Sequence, residues 1–169
     1  GNSTTTGYYM RKLCDPSQTE GFIESDLTFY YMRYAEVLLI RAEALAQLGR
    51  VNEALPFLNE VRKRAGFTTP LSASSKSEFM KLLQHECAVE FAFEGHRFWD
   101  LRRTGRAHAV LDGKKYTGVL WKKAPDGSFT PSSVAADVAA HRYPERFDRI
   151  PIPQSETKNN TKARQNSDW

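Results

Sequence analysis

The sequence predicts an all-α fold: a helical hairpin, a long third helix, and extended irregular loops and tail. Three observations lead there. Apolar residues recur at intervals of three and four over 30–48, 54–65 and 79–101, the period of a helix with one buried face. Glycines stand directly after these runs, at Gly49, Gly66 and Gly105, where a helix end favours a left-handed residue. Finally, the stretch 86–103 reads ECAVEFAFEGHRFWDLRR, placing four aromatics among carboxylates and guanidinium groups at helical spacing. Charge there must lie beside or inside an apolar surface.

At 169 residues the chain is long enough for one domain with a real core and short for two, so 1–169 is expected to be a single domain. Charged residues at 26% and hydrophobic residues at 40% are the balance of an ordinary globular protein. The net charge of +4 is spread among lysines and arginines with acidic neighbours, which argues against nucleic acid, a ligand that calls for a concentrated basic stripe. No apolar run approaches the ~20 residues of a membrane span. Cys14 and Cys87 lack CxxC or Cys/His metal spacing and set no compartment; Cys87 is expected as a small buried hydrophobe.

In chain order, 1–7 (GNSTTTG) is expected to be flexible, and 18–26 a loop. The first helix covers 30–48, with Tyr31, Tyr34, Ala35, Leu38, Ala42, Leu45 and Leu48 in its stripe and Val37 and Ile40 widening it. Asn52 is placed to cap the second helix, with Pro56 near its first turn. The short connection makes 30–66 an antiparallel hairpin. Within it Ala42, Leu45, Gly49, Ala54, Leu58 and Val61 fall at the small-and-apolar spacings of a tetratricopeptide (TPR) unit, so the hairpin is TPR-like. Ser75 and Glu78 fit a capping box opening the third helix, 76–104, with Gly95 as its weak point. Residues 112–133 form a long irregular insertion around Tyr116, Trp121 and Phe129, 134–140 a short helix, and 149–169 a polar tail opened by Ile150-Pro151-Ile152-Pro153.

The charged stretch admits two chemistries. Glu86, Glu90 and Glu94 at i, i+4, i+8 line one helix face, as metal-binding carboxylates or a raised-pKa acid would. The Glu-x-x-His pairs of carboxylate-bridged bundles and the His-Glu-x-x-His signature are both absent, however, so no metal ligands and no catalytic residues are assigned. The alternative is a structural clamp of Arg33, Glu36, Glu43, Glu86, Glu90, Glu94, Arg97, Asp100 and Arg102, in which carboxylates and guanidinium groups pair between the first and third helices and Glu94 pairs locally with Arg97. Loss of Glu90 or Arg97 is then expected to unfold the domain.

These residues resemble a known family. Arg33-Tyr34-Ala35-Glu36-Val37-Leu38-Leu39 with Arg41-Ala42-Glu43-Ala44, the run Asn59-Glu60-Val61-Arg62-Lys63-Arg64-Ala65-Gly66, and Glu90-Phe91-Ala92-Phe93-Glu94-Gly95-His96-Arg97-Phe98-Trp99-Asp100-Leu101-Arg102-Arg103 are similar to three blocks of the SusD/RagB family, in order. Ile152-Pro153-Gln154-Ser155-Glu156 with Gln165-Asn166 resembles its closing segment. The match is to the family's C-terminal region. The resemblance implies helical, TPR-like lipoproteins of Bacteroidetes on the outer face of the outer membrane, which capture glycans or other nutrients without catalysis or cofactor. It also implies a TonB-dependent, SusC-like transporter as partner, although the lipidated N-terminal cysteine of the family lies outside this chain.

Ligand contacts in such proteins come largely from variable loops, so the shared blocks name no binding residue. The candidates are Trp121 and Tyr116, stacking on a pyranose face, with Lys122 and Asp126 for hydroxyls; the competing role for Trp121 is to pack the insertion onto the helices. A soluble TPR-like module binding a peptide in its groove is the alternative function. If neighbouring units that cover the first helix are missing, an exposed apolar patch is expected on its outer face, covered by a homodimer contact or else leading to aggregation.

Overall fold

The computed structural model describes residues 4, 6–15 and 28–169. The expected loop at 18–26 and most of the expected flexible start lie outside the described residues. Contacts gather the chain into two compact units, Leu13–Arg97 and Gly1–Lys12 with Phe98–Trp169.

The first unit holds α1 (Tyr34–Gln47), α2 (Val51–Arg64) and α3 (Lys76–Glu90). Helix α1 starts later than its apolar pattern suggests, because Tyr31 lies outside the helix and Arg33 occupies the cap position in extended backbone. Gly49, at φ 80°, closes α1 by letting the Arg50 amide return to the Leu45 carbonyl at 2.9 Å. Arg50, not Asn52, stands at the α2 cap, and its guanidinium meets Glu53 at 2.7 Å. Ser75 caps α3 by accepting the Glu78 amide at 3.2 Å. The return half of the box is shifted by one residue, since the Glu78 carboxylate takes the Ser74 amide and hydroxyl, each at 2.8 Å.

Small residues let α1 and α2 approach: Ala42, Ala46 and Ala54 have no exposed surface, and with Leu38, Leu39, Leu58, Val61, Phe79, Leu83 and Phe91 they form the core of this unit. This is TPR-like packing, and Cys87 lies at its edge. The opposite side of α1 exposes Tyr34, Val37 and Ile40.

The predicted helix 76–104 is broken. After α3 the chain turns through 91–95, with Phe93 at φ 65° and Gly95 at φ 80°, and α4 (His96–Arg103) begins at His96. The expected row along one helix is thereby divided: Phe79, Leu83 and Phe91 enter the first core, whereas Leu101 joins Ala107 and Tyr143 in the core of the second unit, beside Val110, Leu111 and Phe147. A short helix α5 (Ala107–Leu111) follows α4.

The all-α expectation needs a second correction. The insertion contains an antiparallel hairpin, β1 (Thr117–Lys123) with β2 (Phe129–Ala135), pairing Thr117 with Ala135 and Lys123 with Phe129. The strand takes Val134 and Ala135 from the helix expected over 134–140, and the rest of that segment is not helical. Pro131 and two serines hide β2 from a periodicity argument; the proline is tolerated because β2 is an edge strand. On the other edge of β1, the Val119 amide donates to the Thr6 carbonyl at 2.8 Å, which sets Thr6 and Gly7 against the strand. Gly7, at φ 72°, sits against the Val119 carbonyl, and a Cβ on Gly118 would meet the Thr6 backbone at 2.6 Å.

The tail is more ordered than a polar extension. A 3-10 turn (Glu145–Asp148) and α6 (Gln154–Asn159) flank the Ile-Pro-Ile-Pro run. The Gln165 amide clasps both backbone groups of Ile152 at 2.8 Å, and Asn166 donates to the Ile150 carbonyl at 2.7 Å. Prolines leave these backbone groups without ladder partners, and the two amides replace them. Trp169 stacks on Phe147 at 5.6 Å and donates to the Arg149 carbonyl at 2.8 Å. Among the described residues no helix is long and apolar enough to cross a membrane.

Two outcomes are expected. Gly118→Ala forces the Thr6 backbone away, so hydrogen exchange at the Val119 amide accelerates while α1 to α3 keep their protection. Second, His108 places Nδ1 2.8 Å from the Tyr143 carbonyl, which raises its pKa above the ordinary 6.5 against the cost of desolvation, with Asp112, Glu145 and Asp148 adding to the rise. A raised folded value means that the stabilisation is complete below about pH 6.5 and disappears as pH climbs through the folded pKa. An NMR titration of His108 and urea melts on either side of that value check the direction.

Candidate functional site

Arg33 is the centre of the charged cluster. Its extended cap conformation aims the guanidinium at the α3 end, where Nε and one terminal nitrogen grip Glu94 bidentately at 2.8 and 2.9 Å. The same group contacts the Glu90 carboxylate and donates to the Glu90 carbonyl at 2.7 Å. It also lies 4.8 Å from the centre of the Phe91 ring. The carboxylates are nearly out of water, with side-chain exposures of 8% for Glu90 and 6% for Glu94, against 23% for Arg33. The Glu94 hydrogen bond raises the Arg33 pKa against desolvation, and Glu90 adds to the rise.

Helix α2 supplies two partners that the sequence reading missed. Arg62 meets Glu86 at 2.9 Å, and Arg64 contacts Glu90. Both lie in the NEVRKRAG run, whose alternating arginines were the available signal. Each of Glu86, Glu90 and Glu94 is thus engaged by a guanidinium. Glu36 has one oxygen 3.7 Å from His96 Nδ1 and the other buried without a hydrogen-bond partner among the described residues; His96 in turn stacks on Phe91 at 4.7 Å.

Four expected members stand elsewhere. Arg97 is exposed and has no ion pair among the described residues, because the turn before α4 carries Glu94 to Arg33 and breaks the helical i,i+3 register. Asp100 and Arg102 belong to the second unit. Asp100 pairs with Arg103 at 2.6 Å, while Arg102 donates to the Asp148 carbonyl at 2.8 Å and lies over Phe98 and Trp99. Glu43 on α1 is half-buried, and the Arg33 guanidinium goes to Glu90 and Glu94 instead.

The hairpin separates the four candidate ligand residues. Alternation puts Trp121 on one face and Lys122 on the other. Asp126 lies in the connecting turn, where it accepts the Ser128 hydroxyl at 2.6 Å and amide at 2.9 Å, and these bonds lower its carboxyl pKa. Tyr116 precedes β1 and packs edge-on against His141 at 5.2 Å, while its amide donates to Asp137 at 2.6 Å. Trp121 itself is 51% exposed. Directly across from it stands Pro131, and on the same face Phe129, 59% exposed, faces Lys123.

A TPR-like helical pair clamped by arginine to a third helix, together with a separate unit that carries an antiparallel hairpin, defines a mostly helical scaffold, and sequence comparison agrees with that class. The model of the SusD family matches residues 1–169, and the chain belongs to this family. It is similar to SusD-like protein P38 of Formosa agariphila, at 33% identity over 107 residues, which are 57% of this chain and 21% of that protein. SusD-like protein P2 of the same organism is 39% identical over 96 residues, covering 52% of this chain and 19% of that protein. Among solved structures, a SusD-like protein from Bacteroides fragilis superposes with a TM-score of 0.71 at 28% identity over 82% of this chain and 25% of that one. The surface glycan-binding protein A from Bacteroides thetaiotaomicron gives 0.54 at 28% identity, over 82% of this chain and 24% of that one. The chain therefore spans about a fifth of the length of the curated relatives it matches.

The geometry separates two arginines that the sequence pattern treats alike. Arg33→Ala leaves buried carboxylates uncompensated and is expected to cost about 3 kcal/mol. Arg97→Ala is expected to stay within about 0.5 kcal/mol of the parent. Urea denaturation of the two variants measures the difference; equal losses would contradict the assignment.

Proposed function

We propose that this chain is part of a non-catalytic glycan- or nutrient-binding protein of a SusC/SusD-like outer-membrane uptake system, acting on the cell-surface face. The observation that carries this reading is the family match over residues 1–169, supported by the likeness to a surface glycan-binding protein. The charge cluster fits a framework role, since the carboxylate row is taken up by arginines of α2 and the α1 cap. A hairpin with solvent-exposed aromatic rings is suited to stacking on sugar faces. The transporter partner in this reading is a TonB-dependent, SusC-like protein bound by the full-length molecule.

The exposed Tyr34, Val37 and Ile40 on α1 favour a second reading, a TPR-like module that binds another polypeptide there, a second copy of the chain included. Titration with an oligosaccharide panel, followed by calorimetry and tryptophan fluorescence, separates the two. The first reading expects binding to at least one glycan, with the response reduced in Trp121→Ala. Peptide binding with no response to any glycan would replace it by the second.

A further inference from the structure

The hairpin face around Trp121 carries a charge signature that narrows the ligand. Residues at alternate positions share a face, so Trp121 and Lys123 of β1 stand beside Pro131 and Phe129 of β2, in two directly opposed pairs: Trp121 with Pro131 and Lys123 with Phe129. Three rings and one ammonium thus occupy adjoining positions at the solvent end of the hairpin. Trp121 and Phe129 are each more than half exposed. Among the described residues Lys123 has no ion pair and the Trp121 indole N–H has no acceptor. Lys122 is likewise unpaired on the other face. Strand β2 contains no charged residue, and the Asp126 carboxylate, which accepts from Ser128, lies in the connecting turn and not on this face. The face is therefore apolar, donor-bearing and positively charged, with no acidic group on it.

We infer that the Trp121, Lys123, Phe129 and Pro131 face binds an anionic saccharide, one carrying uronate carboxylates or sulfate esters. This rests on the glycan-binding reading above and specifies its ligand class. The rings stack on the apolar faces of the sugar, the indole N–H donates to a hydroxyl or ring oxygen, and Lys123 meets the anionic substituent. Tyr116, Lys122 and Asp126 are outside this set: Tyr116 is engaged with His141, and the other two project from the opposite face and from the turn.

The test is calorimetric titration of the chain with alginate oligosaccharides, carrageenan oligosaccharides, carboxyl-reduced alginate oligosaccharides as the neutral match, and phosphatidylglycerol vesicles. Binding to an acidic oligosaccharide is expected, weakened roughly tenfold or more by Trp121→Ala and about threefold by Lys123→Gln. Lys122→Gln, on the opposite face, leaves affinity unchanged. Raising salt toward ~1 M, where the screening length is about 3 Å, removes the preference over the neutral match. Equal affinity for acidic and neutral oligosaccharides overturns the inference but leaves glycan binding standing. Failure of these oligosaccharides to bind overturns the inference, and failure of the wider panel as well overturns both, as does binding to vesicles alone. Circular dichroism of each variant shows whether a loss reflects the face or the fold.

Discussion

Two carboxylates withdrawn from water, one at the end of α3 and one in the turn that follows it, impose the constraint on which the first unit depends. A buried carboxylate without a partner costs several kcal/mol, so Glu90 and Glu94 require a cation delivered at short range and in the right plane. Arg33 meets both requirements because its guanidinium is planar, permanently charged and able to donate in several directions. For Glu94 to reach it the third helix must end, and Phe93 accepts a left-handed backbone that costs a non-glycine residue about 1–2 kcal/mol. The break turns Phe91 into the core and stacks His96 upon it.

The pairing also explains why α2 carries its arginines where it does. Arg62 and Arg64 bring a second helix to the same carboxylate row, so α1, α2 and α3 are tied at one end by charge and along their lengths by alanine-lined packing. The two effects divide the labour. Close approach of small residues supplies the burial, whereas the ion pairs are directional and fix which turn of each helix meets which.

The second unit solves a different problem, the backbone. Proline-rich and irregular segments leave amides and carbonyls without regular partners, and the unit satisfies them individually: Gln165 and Asn166 along Ile150–Ile152, Asp112 at the Tyr143 amide, and Thr6 at the edge of β1. Tyr143, its pKa raised first by burial and then by its hydrogen bond to Asp148, anchors the small core. Against this fixed background the outer part of the hairpin has side chains that the fold does not consume, the usual place for recognition residues.

Sequence alone determined the features that depend on local period and composition. The helical hairpin, its TPR-like small-residue contacts, the glycine stops and the Ser75 cap were all legible, because each is written within a few turns of chain. Tertiary structure decided what depends on distant partners. Arg97 is a better local match for Glu94 than Arg33 is, yet Arg33 takes it from 61 residues away, since a bidentate grip at a helix break outweighs an exposed i,i+3 pair. The hairpin was hidden for a related reason. Pro131 and the serines of β2 lack an alternating pattern, and only pairing with β1 gives the strand its form and decides that Trp121 shares a face with Lys123 and not with Lys122.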